Sequence, residues 1–421
     1  MLNRTAIFTL LVAALAVVAC SVQAQAQRNS YSGYRRSTGY MPDEQVMQPM
    51  ATVEDSGPVE AEPMAMDYCG EEGDCYPTCD PVMRCRPRHY WARVEYLGWW
   101  KQGMRLPALV TTNPTTTPTL ANSGTTVLFG DESVNKDAKS GGRFTLGMWT
   151  DPGHQHGWDF TYTYLAPERT SYGASSSDYT ILGRPFFNIE TGSADANLIN
   201  YPNPLYSGSI SIDAETKFQG TELLYRRVVR RQPRSQIDLL VGWRWLQLKD
   251  DLLISQSVTD ALAATINLSD QFNTKNNFHG AEIGVHWRRP MSHDWTLEVL
   301  GKMAIGNSRS TVLINGQQTS VADQGLLALD SNSGTHSSDS LATVTELGLS
   351  LKRRFRNGMV ATFGYTFVYW SDVMRAGDQI DLDVDPRQIP PSPQVATHPE
   401  VLMNTTDFWT QGLHVGLEYA F

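Results

Sequence analysis

The last thirteen residues, Trp409 to Phe421, read WTQGLHVGLEYAF and constrain the fold more than any other stretch. Counting back from the carboxylate, Phe421, Tyr419, Leu417, Val415 and Leu413 share one face, while Ala420, Glu418, Gly416, His414 and Gly412 share the other. A period of two is a strand, not a helix. Soluble sheets alternate too, but an aromatic terminus preceded two residues earlier by a second aromatic points to the closing strand of an outer-membrane barrel. In that reading Tyr419 and Phe421 form the signal through which barrel-assembly machinery engages the chain.

The same design recurs upstream. Ala92, Val94, Tyr96 and Trp100 oppose Arg93 and Glu95; Phe144, Leu146 and Met148 oppose Arg143 and Thr145; Trp158, Phe160, Tyr162 and Tyr164 oppose Asp159, Thr161 and Thr163. A fourth segment runs over 217–227, and Ile237 to Trp245, Ala281 to Trp287, Trp295 to Met303, Leu347 to Leu351 and Ala361 to Tyr369 follow. With the closing segment this makes about ten strands, an even number, as expected when both ends of a single-chain bacterial barrel lie in the periplasm. The connections sort by length. Short ones built from turn residues fall at 151–153, 230–235, 289–291 and 356–358. Long ones fall at 101–140, 166–208, 250–275, 307–340 and 371–408. The expectation is an all-β fold: a transmembrane antiparallel up-and-down β-barrel over 90–421, with long extracellular loops and short periplasmic turns. Aromatics at 10%, with 11 Trp, suit the girdles of such a barrel, and a mean hydropathy of -0.32 is normal where strands alternate.

Residues 1–26 read as a secretory signal peptide: Arg4, an apolar run from Ala6 to Ala19, then small residues near Ala24-Gln25-Ala26. That run is shorter than the roughly 20 residues a spanning helix needs, and no later run is longer, which excludes a helical membrane protein. Cleavage before a lipidated Cys20 is the alternative. Residues 27–89 form a leader rich in Pro, Met and Ser, acidic between Met41 and Asp80, which cannot bury enough apolar surface to order itself. It reads as a flexible periplasmic segment, with an arm for basic or cell-wall partners as the alternative. Cys69, Cys75, Cys79 and Cys85 cluster there; in an oxidising compartment two disulfides are expected, with three pairings open. A four-thiolate metal site lacks its usual CxxC pairs.

Inside a barrel of this size side chains nearly fill the lumen. The inward faces carry Glu95, Asp159, Glu222, Asp238, Glu282, Glu298, Glu346 and Glu418, with Arg93, Arg143, Arg226, Arg244, Lys302 and Lys352 as partners. An ion-pair network packing the lumen is therefore expected ahead of a charged aqueous pore. No catalytic, cofactor or metal residue is assigned. Alternating Asp381, Asp383 and Asp385 with His398 raise an omptin-like rim enzyme or a weak calcium site, but such aspartates usually face solvent. Neither His286 nor His414 has a serine two residues away, as an outer-membrane phospholipase would require. A net charge of -10 argues against a nucleic-acid partner.

The run RVEYLGWWKQGMRLPALVTT from Arg93, with TTVLFG from Thr125, GGRFTLG from Gly141, RPFFN from Arg184, FQGTELLYRR from Phe218 and DLLVGWRWL from Asp238, resembles the type 7 β-barrel porin family of planctomycetes. The resemblance covers 90–421 and implies an outer-membrane barrel in contact with lipid. It brings no catalytic or ligand residues. The function expected is passive, porin-like passage of small solutes, with acidic loops favouring cations. The alternative is a non-conducting surface barrel that anchors external loops for adhesion or envelope structure.

Overall fold

The structure, a computed structural model, describes residues 73–76, 84–87 and 89–421, apart from 203–204, 263, 320, 323 and 389–395. Ten long strands carry the fold: β1 (Tyr90–Lys101), β2 (Lys139–Trp149), β3 (His156–Ser175), β4 (Leu205–Gln232), β5 (Ser235–Thr259), β6 (Thr265–Pro290), β7 (Trp295–Gln318), β8 (Gly334–Arg354), β9 (Met359–Val373) and β10 (Thr406–Ala420). Each pairs antiparallel with the next, and β10 pairs back onto β1, with Glu418 opposite Arg93. The cylinder is closed. Tyr90 and Phe421 exchange backbone hydrogen bonds of 3.1 and 2.8 Å at the seam, and their rings stack at 6.1 Å. The short turns stand where the sequence places them. No helix among the described residues is long and apolar enough to cross a membrane.

Three of the five segments expected to be long loops, 166–208, 250–275 and 307–340, are mostly strand, whereas 101–140 and 371–408 are mostly irregular. β4, β5, β6 and β7 run for 28, 25, 26 and 24 residues, whereas about 9–11 residues cross a bilayer. The excess continues the barrel beyond the membrane, and there the polarity inverts. In the lower half the outward residues are apolar: Val94, Phe363, Ile283 and Val415 are all more than half exposed, while the lumen holds charge. In the upper half Ser209, Ser211, Asp213, Lys275 and Arg309 face out, while Ile210, Ile212, Leu252, Ile254, Phe272, Val312 and Ile314 face in and are buried. Through β5, β6 and β7 the alternation runs on unbroken while the solvent outside changes from lipid to water; β3 instead carries a bulge at this level, between Leu165 and Glu168, where its inward face passes from odd to even residues.

The upper chamber is filled. The segment between β1 and β2, the paired strands Leu182–Asn188 and Ser193–Pro202 between β3 and β4, and the connections after β7 and β9 fold into it. Met104, Leu106, Leu109, Leu182, Ile199, Leu326 to Leu329, Met374 and Val384 form one hydrophobic cluster with the inner wall. These connections are thus the core of the extracellular half, not free external loops.

Ahead of the barrel, residues 73–76 and 84–87 pair as a short antiparallel ladder with Cys75 opposite Cys85. No disulfide is formed among the described residues, which corrects the expectation of two. Clustering in sequence limits how far apart the Cα atoms lie, but an S–S bond also demands a specific side-chain geometry that clustering does not supply. Cys69, Cys79, Cys20, the signal peptide and most of the leader lie outside the described residues.

Candidate functional site

The lumen at membrane level holds three neighbouring clusters of paired charge. Strand alternation puts residues from all sides into a narrow interior where an unpaired charge is costly. Arg244 on β5 sits at one centre, bonding Glu222 at 2.8 Å, Glu282 at 2.9 Å and Glu346 at 2.5 Å. Lys302 on β7 backs it, 2.5 Å from Glu222 and 3.1 Å from Glu346, but 4.0 Å from Glu282. Three carboxylates thus share two cations.

Arg226 forms the second centre, towards the periplasm. It donates to Asp159, to Asp238 at 2.8 Å and to His286 Nδ1 at 2.9 Å. Accepting at Nδ1 leaves His286 Nε2 to carry the proton towards Glu298, 3.4 Å away. Arg288 adds a 2.7 Å bond to Asp238. Lys352 links Glu298 at 3.1 Å with Glu418 at 2.9 Å, and Arg93 reaches Glu418 at 3.5 Å. Arg143 clasps Glu95 through two bonds of 2.6 and 3.1 Å, with His414 3.6 Å away. Each of the fourteen charged residues expected to line the lumen belongs to one of these clusters. His286, His414 and Arg288 join them without having been expected. What remains open is a cavity of about 90 Å³ bordered by Trp99, Thr163, Leu246 and Leu300 among others.

A second tier, not anticipated from the sequence, pins the upper core. Asp270 Oδ1 accepts from the backbone amides of Leu326, Leu327 and Ala328 at 2.8, 3.0 and 2.9 Å, and its Oδ2 accepts from Arg184 at 2.5 Å. Arg375, from the segment after β9, binds Asp250 on β5 at 2.5 Å. Lys101 and Glu168 form a third pair, both 2% exposed. Asn276 bridges both backbone groups of Met374, donating to O and accepting from N at 2.8 Å each. Buried, paired charges of this kind fix one arrangement of the connections against the wall.

At the rim, Asp381 accepts from the amides of Asp383 and Glu400 and lies 3.3 Å from His398, while Asp385 binds Arg387 at 2.7 Å. The Arg387 hydrogen bond holds the Asp385 carboxyl below its ordinary range. Nearby, burial pushes Asp378 up, opposed by Arg375. These groups serve the loop's own backbone.

A closed ten-stranded cylinder with a lipid-facing apolar belt and a charged interior defines an outer-membrane β-barrel. A family profile described as Putative beta barrel porin-7 (BBP7) matches residues 91–421, and the chain belongs to that family. Its place is the bacterial outer membrane. No curated protein matches it. Among solved structures it is similar to the outer membrane protease OmpT of Escherichia coli (8% identity, 81% of this chain and 99% of that one, TM-score 0.38). A FadL homologue of Pseudomonas aeruginosa (6%, 80% and 91%, 0.27) and the toluene transporter TodX of P. putida (9%, 80% and 91%, 0.22) also align. Identities and scores this low leave the functional reading to the chain's own residues.

Proposed function

We propose that this protein is a non-conducting outer-membrane barrel that holds a rigid extracellular extension at the cell surface, for adhesion or envelope structure. The hydrophobic cluster that fills the upper chamber carries the reading, because a solute path would have to pass through it. The ion-paired belt below supports it: ions crossing there would displace buried partners at a cost of several kcal/mol each. In this reading the chain is exported by its signal peptide, inserted through Tyr419 and Phe421, and has no catalytic role.

Planar-bilayer recording of the pure, inserted barrel tests it. A silent bilayer is expected with wild type, even at high voltage. Discrete conductance steps would replace this reading with porin-like passage of small solutes. That second reading is favoured by the family's description and by the cavity at membrane level, and it requires the connections in the upper chamber to move.

A further inference from the structure

On the outer face, just above the lipid belt, three neighbouring strands present cations that form no ion pair among the described residues. Lys249 on β5 stands directly opposite Lys275 on β6, and Arg309 on β7 stands opposite Asn277, one level below Lys275. All three point outward by strand parity, Lys275 and Arg309 being exposed and Lys249 half-buried. Among the described residues none has an ion-pair or hydrogen-bond partner, whereas Lys217, opposite Lys249, is held by Glu215 at 2.9 Å and Asp251 at 3.4 Å. The carboxylate opposite Arg309, Asp339, accepts from Asn307 at 2.8 Å. Like charges directly opposed across a ladder are destabilising, and Lys217, Lys249 and Lys275 stand opposite one another in one row, a repulsion that a shared anion would relieve.

The height identifies what that is. Going up β5, Trp243 and Trp245 end the aromatic belt, Trp243 stacking on His279 at 5.7 Å. An amide row comes next, with Tyr162 donating to Gln219 at 3.0 Å, Gln219 to Gln247 at 3.1 Å and Gln247 to Asn277 at 2.7 Å. The lysines follow. Four residues beyond Trp245 is about 10 Å along the membrane normal for a strand tilted by about 45°. Long lysine stems lying along the wall bring their ammonium groups back into the headgroup layer. Adjacent strands are about 4.8 Å apart, so one phosphate can be shared by Lys249 and Lys275, with Arg309 reaching the same group or its neighbour.

We propose that Lys249, Lys275 and Arg309 form a docking site for the phosphate-bearing headgroup of an outer-leaflet lipid. The site is continuous with the lipid belt, which places the acyl chains below and the phosphate at the row.

The test uses the full chain folded in neutral detergent micelles, wild type beside a Lys249→Gln/Lys275→Gln/Arg309→Gln variant. Closure of each is checked by the gel shift between boiled and unboiled samples. Native mass spectrometry then follows retention of diphosphorylated lipid A and of its dephosphorylated form. Wild type is expected to retain the diphosphorylated lipid about tenfold more tightly than the variant, and to lose that preference for the dephosphorylated form. Equal retention by both proteins would overturn the proposal, as would displacement by inorganic phosphate at concentrations comparable to the lipid, which would mark a free-anion site. If the triple variant does not close, Lys275→Gln alone is read in the same way, with a smaller loss expected.

Discussion

Replacing Arg244 by Met is the sharpest test of how the lumen is held together. The guanidinium touches Glu222, Glu282 and Glu346, and its side chain is 4% exposed. Without it Lys302 alone faces three carboxylates, and it reaches Glu282 only at 4.0 Å. Removing one member of a buried ion pair costs about 3–5 kcal/mol, because the partner is left uncompensated; with three partners the upper end applies. Deleting the partners together is far less costly, since a buried pair is often no better than packed apolar groups. The double variant Arg244→Met/Glu282→Leu is therefore expected to recover about 2 kcal/mol or more, a coupling of the size that contacting residues show. The three carboxylates should also differ. Glu346 is bonded by both cations, whereas Glu282 Oε2 has no hydrogen-bond partner, so Glu282→Gln is expected to cost about 1 kcal/mol and Glu346→Gln about 3. Urea unfolding in lipid vesicles, followed by tryptophan fluorescence, measures all four. A loss below about 1 kcal/mol for Arg244→Met, with no coupling to Glu282, would show that water screens the lumen and that the dry ion-pair description is wrong.

Asp270→Asn removes the charge that holds Arg184 and weakens the acceptor of three loop amides; a loss of about 3–5 kcal/mol is expected, with faster proteolysis within 319–333, and an unchanged cleavage rate would refute the pinning role. Burial raises the Asp378 carboxyl above the ordinary aspartate range, so its ionised form opposes folding above that range, and the penalty fades as pH falls and the proton returns. Asp378→Asn should accordingly unfold at higher urea than wild type at pH 7, with the gap closing on acidification; a gap that is constant with pH would refute the assignment. Phe421→Ala loses an exposed stacked pair with Tyr90, about 1 kcal/mol, yet should slow insertion by assembly machinery several-fold; equal insertion rates in reconstituted vesicles would remove Phe421 from the assembly signal.

The belt was legible because lipid forces a uniform apolar face: Phe144-Leu146-Met148 or Phe363-Tyr365-Phe367 reads as strand without further context. Above the rim the sequence of the same strands reads as loop. There Lys249 and Asp251 point out while Leu248, Leu252 and Ile254 point in, and the run KDDLLISQSV loses the outward apolar signature although its alternation persists. The carboxylates of the lumen were visible one strand at a time, but their partners were not. Arg244 and Glu346 lie 102 residues apart and meet only because closure carries β5 across to β8. Nothing adjacent in sequence marks His286 and His414 as bridges to Glu298 and Glu95, which they approach only in the closed barrel. Asp270, between Ser269 and Gln271, has no local signal for the backbone amides it holds.

The inversion at the rim also explains how so long a barrel keeps one register. A strand buried on one face resists slippage because a shift of one residue turns every side chain over. Here each of β4 to β7 is constrained twice, by opposite rules. A slip of β6 by one residue would turn Glu282 and His286 into lipid and Ile283 and Val285 into the charged lumen. In the same movement it would turn Phe272 and Leu268 into water and Lys275 into the hydrophobic cluster. The two penalties add, because no register satisfies one half at the expense of the other. An open-mouthed porin with mobile loops has only the lower constraint. The length of these strands and the filled upper chamber are thus parts of one arrangement: the inner wall stays apolar because the connections cover it, and the connections stay folded because Asp270, Asp250 and Asn276 hold them to that wall.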